Sequence, residues 1–238
     1  MSAASSPMIF CALDTPDLAQ AKAWAETIGP VTGALKVGME FVNAYGPHGI
    51  ETVQNAAPDA ELFIDLKYHD IPNTVAGAVR AVCQRFAPAY LNVHAAGGIE
   101  MMQAAKDACT PQTKLLAVTI LTSLNQEAIR TVGYEHPLTE QVTRMAKLTQ
   151  DSGLDGVVCS ALEIEPIRAL CGNDFDLMVP GIRPAGSQSQ DQKRVMTPEE
   201  ALGKGATHLV IGRPITGAAD PAQAAQDILE SIRKDAAA

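Results

Sequence analysis

The sequence predicts an α/β protein of one domain, a (β/α)8 TIM barrel over residues 1–238. Short apolar runs alternate with longer amphipathic segments along the whole chain, and no linker or low-complexity stretch interrupts them. The alternation has eight units, and eight parallel strand–helix units in about 250 residues are typical of this barrel. Hydrophobic residues make up 47% of the chain, enough for a sizeable core. A doubly wound open sheet is the alternative, but its sheet would need an unusual number of strands.

The predicted strands have the clearest pattern in the sequence. Each run is almost continuously apolar, as expected for parallel strands that are buried on both faces. We predict strands at Ile9–Leu13, Ala34–Val37, Leu62–Leu66, Tyr90–Val93, Leu115–Leu121, Gly156–Cys159, Leu177–Val179 and Leu209–Ile211.

Apolar residues at helical spacing separate the strands. In the first helix they are Leu18, Ala21, Ala25 and Ile28. We expect Thr15-Pro16 to open this helix and Gly29 to close it. In the last helix they are Ala225, Ile228, Leu229 and Ile232, behind Asp220-Pro221.

One segment breaks the alternation. Residues 183–196 (RPAGSQSQDQKRVM) are polar, rich in Ser and Gln, and directly follow the seventh strand. Two interpretations stay open, an ordinary solvated loop or a mobile lid over a site at the strand ends.

Composition and charge exclude several classes of protein. The net charge of −9 argues against a general nucleic-acid binder, although a local positive cluster could still hold a small anion. No run reaches the roughly 18 apolar residues of a membrane helix. The five cysteines form no CxxC, so a disulfide framework and a zinc site are not expected. Residues 1–7 lack the features of a signal peptide, and we expect a cytoplasmic protein.

Charged residues interrupt the strands near their carboxyl ends, where barrels of this type carry their sites. Asp14 follows the first strand, Lys36 lies on the second, and Asp65 and Lys67 end the third. Asp65 and Lys67 are two residues apart, so both side chains should face the barrel interior and form an alternating row with Lys36. This row is either a buried ion network that only fixes the fold or a catalytic group. A lysine between carboxylates stays protonated, and it therefore suits proton donation better than Schiff-base chemistry.

A second cluster suggests a phosphate site. Gly212-Arg213 follows strand eight, and Arg183 and Gln192 follow strand seven, where these barrels commonly bind phosphate. Arg213 could instead be a surface arginine paired with an acid. His94 could be a base or simply a hydrogen-bonded histidine. The histidines show no HxH or HExxH spacing, and no metal site is predicted.

The segment DLKYHDIPNT, Asp65 to Thr74, resembles the D-x-K-x-x-D-I-P-x-T signature of the orotidine 5′-monophosphate decarboxylase family. Supporting motifs follow in family order from Ile9 to Ile215, and the loop after strand seven has the short length of bacterial members. These motifs are ALD, LKVG, VTILTS, PGIRP, DQKRV and IGRPI.

The resemblance implies decarboxylation of orotidine 5′-monophosphate to uridine 5′-monophosphate, the last step of UMP biosynthesis, without a cofactor. The catalytic residues that it implies are Lys67, Asp65, Asp70 and Lys36. Lys67 is the proton donor to C6, Asp65 faces the substrate carboxylate, and Asp70 is lent across a homodimer interface to the neighbouring site.

The resemblance also implies the substrate contacts. Asp14 and Lys36 bind the ribose hydroxyls, Thr122 contacts the pyrimidine, and Ile71 and Thr74 accompany Asp70. Arg183, Gln192, Gly212 and Arg213 form the phosphate clamp, with Gln192 bridging to the base.

Two other functions compete with this one. Magnesium-dependent decarboxylases and aldolases of sugar phosphates share the D-x-K-x-x-D strand, but they place a metal-binding carboxylate on strand two, where this chain has Lys36. A catalytically silent nucleotide-binding barrel is the other alternative, although no catalytic position is missing.

Overall fold

A computed structural model describes residues 9–184 and 196–236, and over these residues eight parallel strands close into one barrel. The strands are β1 Ile9–Ala12, β2 Ala34–Gly38, β3 Glu61–Tyr68, β4 Tyr90–His94, β5 Lys114–Val118, β6 Gly156–Val158, β7 Asp176–Pro180 and β8 His208–Ile211. Each strand pairs with the next in sequence, and β8 returns to β1 with Leu209 opposite Ile9. The single-domain (β/α)8 barrel is therefore confirmed, and the open-sheet alternative is wrong.

Ten α-helices surround the barrel within the described residues. They are α1 Leu18–Thr32, α2 Met39–Ala56, α3 Pro72–Phe86, α4 Gly98–Asp107, α5 Gln126–Thr131, α6 Leu138–Asp151, α7 Ile164–Cys171, α8 Pro198–Gly203, α9 Arg213–Thr216 and α10 Pro221–Ala236. None of these helices is long and apolar enough to cross a membrane.

The predicted limits of the first helix are wrong at both ends. Asp17 is the residue that caps α1, since its carboxylate accepts a hydrogen bond from the Gln20 N–H at 3.1 Å. The helix also continues past Gly29 and ends at Gly33, which has a left-handed φ of 69°. Gly29 serves packing instead, because a Cβ at this position would lie 2.6 Å from Cβ of Ala57. The predicted start of the last helix is confirmed, with Asp220 accepting from the Gln223 N–H at 3.0 Å.

Aromatic rings fill the amino-terminal half of the barrel interior. The ring of Phe10 meets those of Tyr90 and His208 at centroid distances of 5.4 and 5.6 Å, and Phe63 packs against the same group. Edge-to-face contacts of this kind stabilise a core beyond the apolar area that they bury. The amino-terminal end of the barrel is therefore filled, and the open space of the interior lies at the carboxyl ends of the strands.

Candidate active site

A cavity of about 430 Å³ lies at the carboxyl ends of the strands. Its wall includes side chains from the ends of most of the eight strands and from the loops that follow them. The predicted site residues that line it are Asp14, Lys36, Asp65, Lys67, Thr122, Arg183, Gly212 and Arg213. Residues from both ends of the sequence thus meet in one pocket, as expected when the strands of a closed barrel all end on the same face.

Four of these residues form a row of alternating charge. Lys36 Nζ lies 3.0 Å from Asp14 Oδ1 and 3.5 Å from Asp65 Oδ2, and Lys67 Nζ lies 2.6 Å from Asp65 Oδ1. The side chain of Lys36 is only 7% exposed, whereas that of Lys67 is 25% exposed. Lys36 is therefore the buried centre of the row, and Lys67 presents its ammonium group to the cavity.

The row shifts the pKa of Lys36 and that of Asp65 in the directions that favour their charged forms. Burial alone would lower the pKa of Lys36, but Asp65 and Asp14 outweigh burial and raise this pKa above its ordinary value. Burial would likewise raise the pKa of Asp65, yet Lys36 and Lys67, with hydrogen bonds from Lys67 and Asn92, hold it below its ordinary value. Each ion thus compensates the desolvation of its neighbour, which is the condition for keeping charges in a barrel interior.

The backbone that carries Lys67 is irregular. Ile64 of β3 pairs with Leu91 of β4, and the next pair joins Tyr68 to Val93, so the ladder is interrupted between them. Lys67 itself adopts a left-handed φ of 52°, which costs a residue with a side chain about 1–2 kcal/mol. The spacing of two residues does bring Asp65 and Lys67 together, but through a bulge rather than through a regular strand.

Asn92 is the residue of this region that the sequence analysis missed. It lies within the predicted strand Tyr90–Val93 and was counted with the apolar run. Its side chain is fully buried and hydrogen-bonded to both Lys67 and Asp65. A single amide in an otherwise apolar strand is the signal that could have identified it, because a buried amide requires partners.

Apolar side chains form another part of the cavity wall. Val118 lies on β5, Val158 on β6 and Val210 on β8, while Ile120 and Cys159 come just after β5 and β6. Burial raises the pKa of the Cys159 thiol well above its ordinary value, so this cysteine is a neutral packing group. Such a wall can accept the face of a flat ring, with Leu121 and Thr122 at its rim.

Two arginines lie at the opposite end of the cavity from strand β3. Arg183 follows β7 and is 9% exposed, with its guanidinium donating to the Ile182 carbonyl at 3.0 Å. Arg213 begins α9, directly after Gly212. A Cβ at position 212 would lie 3.5 Å from Cβ of Ala12, an ordinary van der Waals contact, so packing by itself does not require glycine here. This end of the pocket offers cationic donors to an anion.

Three other predicted site residues do not line the cavity. Asp70, Ile71 and Thr74 are exposed around the start of α3, and the Asp70 carboxylate accepts from the Ile71 N–H at 2.6 Å. The side chain of Ile71 is 66% exposed. Gln192 and most of the predicted lid fall outside the described residues.

His94 does not line the cavity. Its ring lies 5.4 Å from that of His69, and burial, with the neighbouring His69 and Lys67, lowers its pKa. Within residues 9–184 and 196–236, no group of three or more His, Cys, Asp or Glu side chains is placed to hold a metal ion.

Comparison with known proteins identifies the family. The sequence profile described as "Orotidine 5′-phosphate decarboxylase / HUMPS family" matches residues 7–228. A protein of Paramagnetospirillum magneticum named orotidine 5′-phosphate decarboxylase is 51% identical over 91% of this chain and 94% of its own length. A protein of Trichlorobacter lovleyi with the same name is 50% identical over 96% of both chains.

A solved structure agrees with this result. The crystal structure of orotidine 5′-phosphate decarboxylase from Lactobacillus acidophilus superposes with a TM-score of 0.83 at 36% identity, over 95% of this chain and 98% of that one. The family resemblance predicted from the motifs is therefore confirmed, and the chain belongs to the orotidine 5′-phosphate decarboxylase / HUMPS family.

Proposed function

We propose that this chain decarboxylates orotidine 5′-monophosphate to uridine 5′-monophosphate without a cofactor, with Lys67 as the proton donor. The observation that carries the proposal is the placement of the Lys67 ammonium at one end of a cavity whose other end holds Arg183 and Arg213. A nucleotide has its phosphate far from its base, so a pocket with a cationic donor at each end fits both groups. The names of the relatives at about 50% identity support the same substrate.

In the proposed reaction the bond between C6 and the carboxylate carbon breaks, and CO₂ leaves. The electron pair stays at C6, where the pyrimidine ring delocalises it poorly. The Lys67 ammonium stabilises this charge and then transfers a proton to C6. The resulting neutral amine regains a proton from water, which restores the enzyme.

Asp65 has two parts in this proposal. Its Oδ1 accepts from Lys67 at 2.6 Å, which aims the ammonium group. Its carboxylate also faces the position that we assign to the substrate carboxylate, the group that is lost. Lys36 balances Asp65 from the buried side, 3.5 Å from Oδ2, so that Asp65 stays ionised.

The remaining contacts bind and orient the nucleotide. We assign Asp14 and Lys36 to the ribose hydroxyls and Thr122 to the pyrimidine. Gly212, Arg213, Arg183 and Gln192 are assigned to the phosphate, with Gln192 also reaching the base. Phosphate binding lies far from the reacting carbon, so its energy can be used to hold the base against Lys67.

Asp70, Ile71 and Thr74 complete the proposal at a homodimer interface. They are exposed in a single chain, and they lie a few residues beyond Lys67. A two-fold axis beside the start of α3 would bury Ile71 and place Asp70 at the site of the partner.

The family also includes magnesium-dependent enzymes of sugar phosphates, and Lys36 argues against that chemistry in this chain. Its ammonium lies between Asp14 and Asp65, where a second cation would meet electrostatic repulsion.

The test is an absorbance assay of the pyrimidine with orotidine 5′-monophosphate, with and without EDTA. Turnover that EDTA leaves unchanged supports the proposal. Activity that EDTA abolishes and Mg²⁺ restores would indicate the metal enzyme, and binding without turnover would indicate a silent barrel. Either of these results contradicts the proposed reaction.

A further inference from the structure

Asn92 of β4 is fully buried and makes two hydrogen bonds to β3. Its Oδ1 accepts from the backbone N–H of Lys67 at 2.7 Å. Its Nδ2 donates to Asp65 Oδ1, also at 2.7 Å. Asn92 does not line the cavity, so both bonds act on residues that do.

The bulge in β3 explains why an amide lies here. Between the pairs Ile64–Leu91 and Tyr68–Val93, β3 advances four residues while β4 advances two. Lys67 therefore has no place in a regular backbone ladder. The Asn92 side chain supplies the acceptor that its N–H would otherwise lack, and a buried N–H without an acceptor is strongly disfavoured.

The two bonds hold Lys67 at both ends. At the backbone, Asn92 fixes the residue in its left-handed conformation with φ of 52°. At the side chain, Asp65 Oδ1 accepts from Asn92 Nδ2 and from Lys67 Nζ, at 2.7 and 2.6 Å. The orientation of that oxygen, and with it the position of the ammonium, depends on Asn92.

We infer that Asn92 is a positioning residue that sets the Lys67 ammonium against the reacting carbon. The inference rests on the proposed function, in which Lys67 protonates C6. Only a neutral amide combines the acceptor for the Lys67 N–H with the donor for Asp65 in one side chain of this size. An aspartate would accept from Lys67 but repel Asp65, and a leucine would do neither.

The first test is Asn92→Leu, which keeps the branched shape of the side chain, although leucine is larger, and removes both bonds. Because a displacement of about 1 Å at the reacting group can cost about 100-fold in rate, we expect kcat to fall by about that factor. The affinity for uridine 5′-monophosphate should stay within about threefold, since the phosphate and ribose contacts are elsewhere. A residue with a structural role alone would lower the melting temperature without this loss of kcat.

Tyr90→Phe is the matched control. Tyr90 lies two residues before Asn92 on β4 and donates a buried hydrogen bond to Asp176 at 3.0 Å, away from the cavity. This variant should lose stability and keep its kcat. If Asn92→Leu does not fold, Asn92→Asp preserves the shape, and we expect its kcat to fall as well. A kcat within about threefold of wild type in a folded Asn92 variant would overturn the inference.

A crystal structure of the Asn92 variant separates this inference from the proposed function. We expect Lys67 to leave its left-handed φ and its Nζ to move out of hydrogen-bond distance from Asp65. If both features persist, the inference is wrong whatever the reaction. If wild type does not turn over orotidine 5′-monophosphate at all, the proposed function fails, while the geometric role of Asn92 is still decided by this structure.

Discussion

At the scale of the residue, the site depends on a row of charged side chains in which each charge is paired with a neighbour of opposite sign. Lys67 ends the row and is its most accessible lysine, and Asp65 connects it to the buried Lys36. Removing Lys67 leaves Asp65 paired with Lys36 and hydrogen-bonded to Asn92. The row therefore allows Lys67, the proposed proton donor, to be deleted without leaving a buried charge unpaired.

Lys67→Ala should accordingly remove turnover while the fold and the nucleotide affinity persist. We expect kcat to fall by at least about 10⁴-fold, because both the proton donor and the charge beside C6 are lost. Steady-state kinetics and calorimetry with uridine 5′-monophosphate measure the two quantities. Lys22→Ala is the control, since Lys22 forms an exposed ion pair with Glu26. A kcat near that of wild type in Lys67→Ala would contradict its role as proton donor.

Arg213→Ala tests the opposite end of the cavity. A hydrogen bond to a charged group contributes about 1.5–3 kcal/mol, so kcat/KM for orotidine 5′-monophosphate should fall by about 10- to 100-fold, with a higher KM. The nucleoside without its phosphate should be far less affected. Arg80→Ala, at an exposed position of α3, is the control. Equal losses for the two substrates would show that Arg213 does not bind phosphate.

The residues of the cavity could be predicted where a local pattern marks them. Asp65 and Lys67 share a face at a spacing of two, and Arg213 follows a strand end. The single amide of Asn92 in an apolar strand marks a buried group that needs partners, but its partners could not be predicted, because its two bonds depend on a bulge in the neighbouring strand. The bulge is a property of the pair of strands, and neither sequence segment shows it alone.

At the scale of the element, helix ends proved harder to predict than strands. The eight strands follow from their apolar runs because burial on both faces leaves a strong pattern. Gly29 and Pro30 look like a helix end, yet α1 continues to Thr32 because Gly29 packs against Ala57. Likewise, α2 bends at Gly46, which has φ of 55°, and continues past Pro47. The close contact of Gly29 with Ala57 belongs to the folded structure and is not visible in the sequence of α1 alone.

Strand β8 begins with His208, which makes stability depend on pH. Burial lowers the pKa of His208 below 6.5, against a partial opposing effect of Asp176. The unfolded chain therefore binds this proton more readily than the folded chain. The stability that this difference in pKa contributes is fully present at pH values above the pKa of His208 in the unfolded chain. It is lost as the pH falls through the pKa of His208 in the folded chain. His94 has a lowered pKa and acts in the same direction.

We therefore expect the free energy of unfolding to fall from about pH 7 to pH 5, by at most about 1.4 kcal/mol per pH unit for each histidine. His208→Gln should flatten this dependence, whatever its effect on stability at pH 7. His48→Gln, at an exposed position of α2, should leave the slope unchanged. Urea denaturation at a series of pH values measures the slopes, and equal slopes in the three proteins would refute the assignment.

At the scale of the whole molecule, the two ends of the barrel have different tasks. Aromatic rings fill the amino-terminal end, while the carboxyl end keeps the cavity and its charges. This division follows from the barrel fold, which the count of strands already predicts. The assembly does not follow in the same way, because the roles proposed for Asp70, Ile71 and Thr74 need a second copy of the chain.

A shared site makes a quantitative prediction for hybrid dimers. Lys67→Ala and Asp70→Ala homodimers should each be nearly inactive. If Asp70 serves the site of the partner, a hybrid dimer has one site with both lesions and one with neither. Random exchange in an equimolar mixture makes about half of the dimers hybrid, so about a quarter of wild-type activity should return. Mass spectrometry verifies the exchange, and the assay with orotidine 5′-monophosphate measures the activity.

The control for this experiment is a mixture of Lys67→Ala with Lys36→Ala. Lys36 and Lys67 line the same cavity of one chain, so every site in that hybrid keeps one lesion. We therefore expect no recovery in the control under conditions that restore activity in the first mixture. Recovery in both mixtures would indicate contamination or reversion. Subunit exchange without recovery of activity in either mixture would place Asp70 in the site of its own chain or in no site. Only a residue that contributes to the partner's site can be separated from Lys67 by subunit exchange.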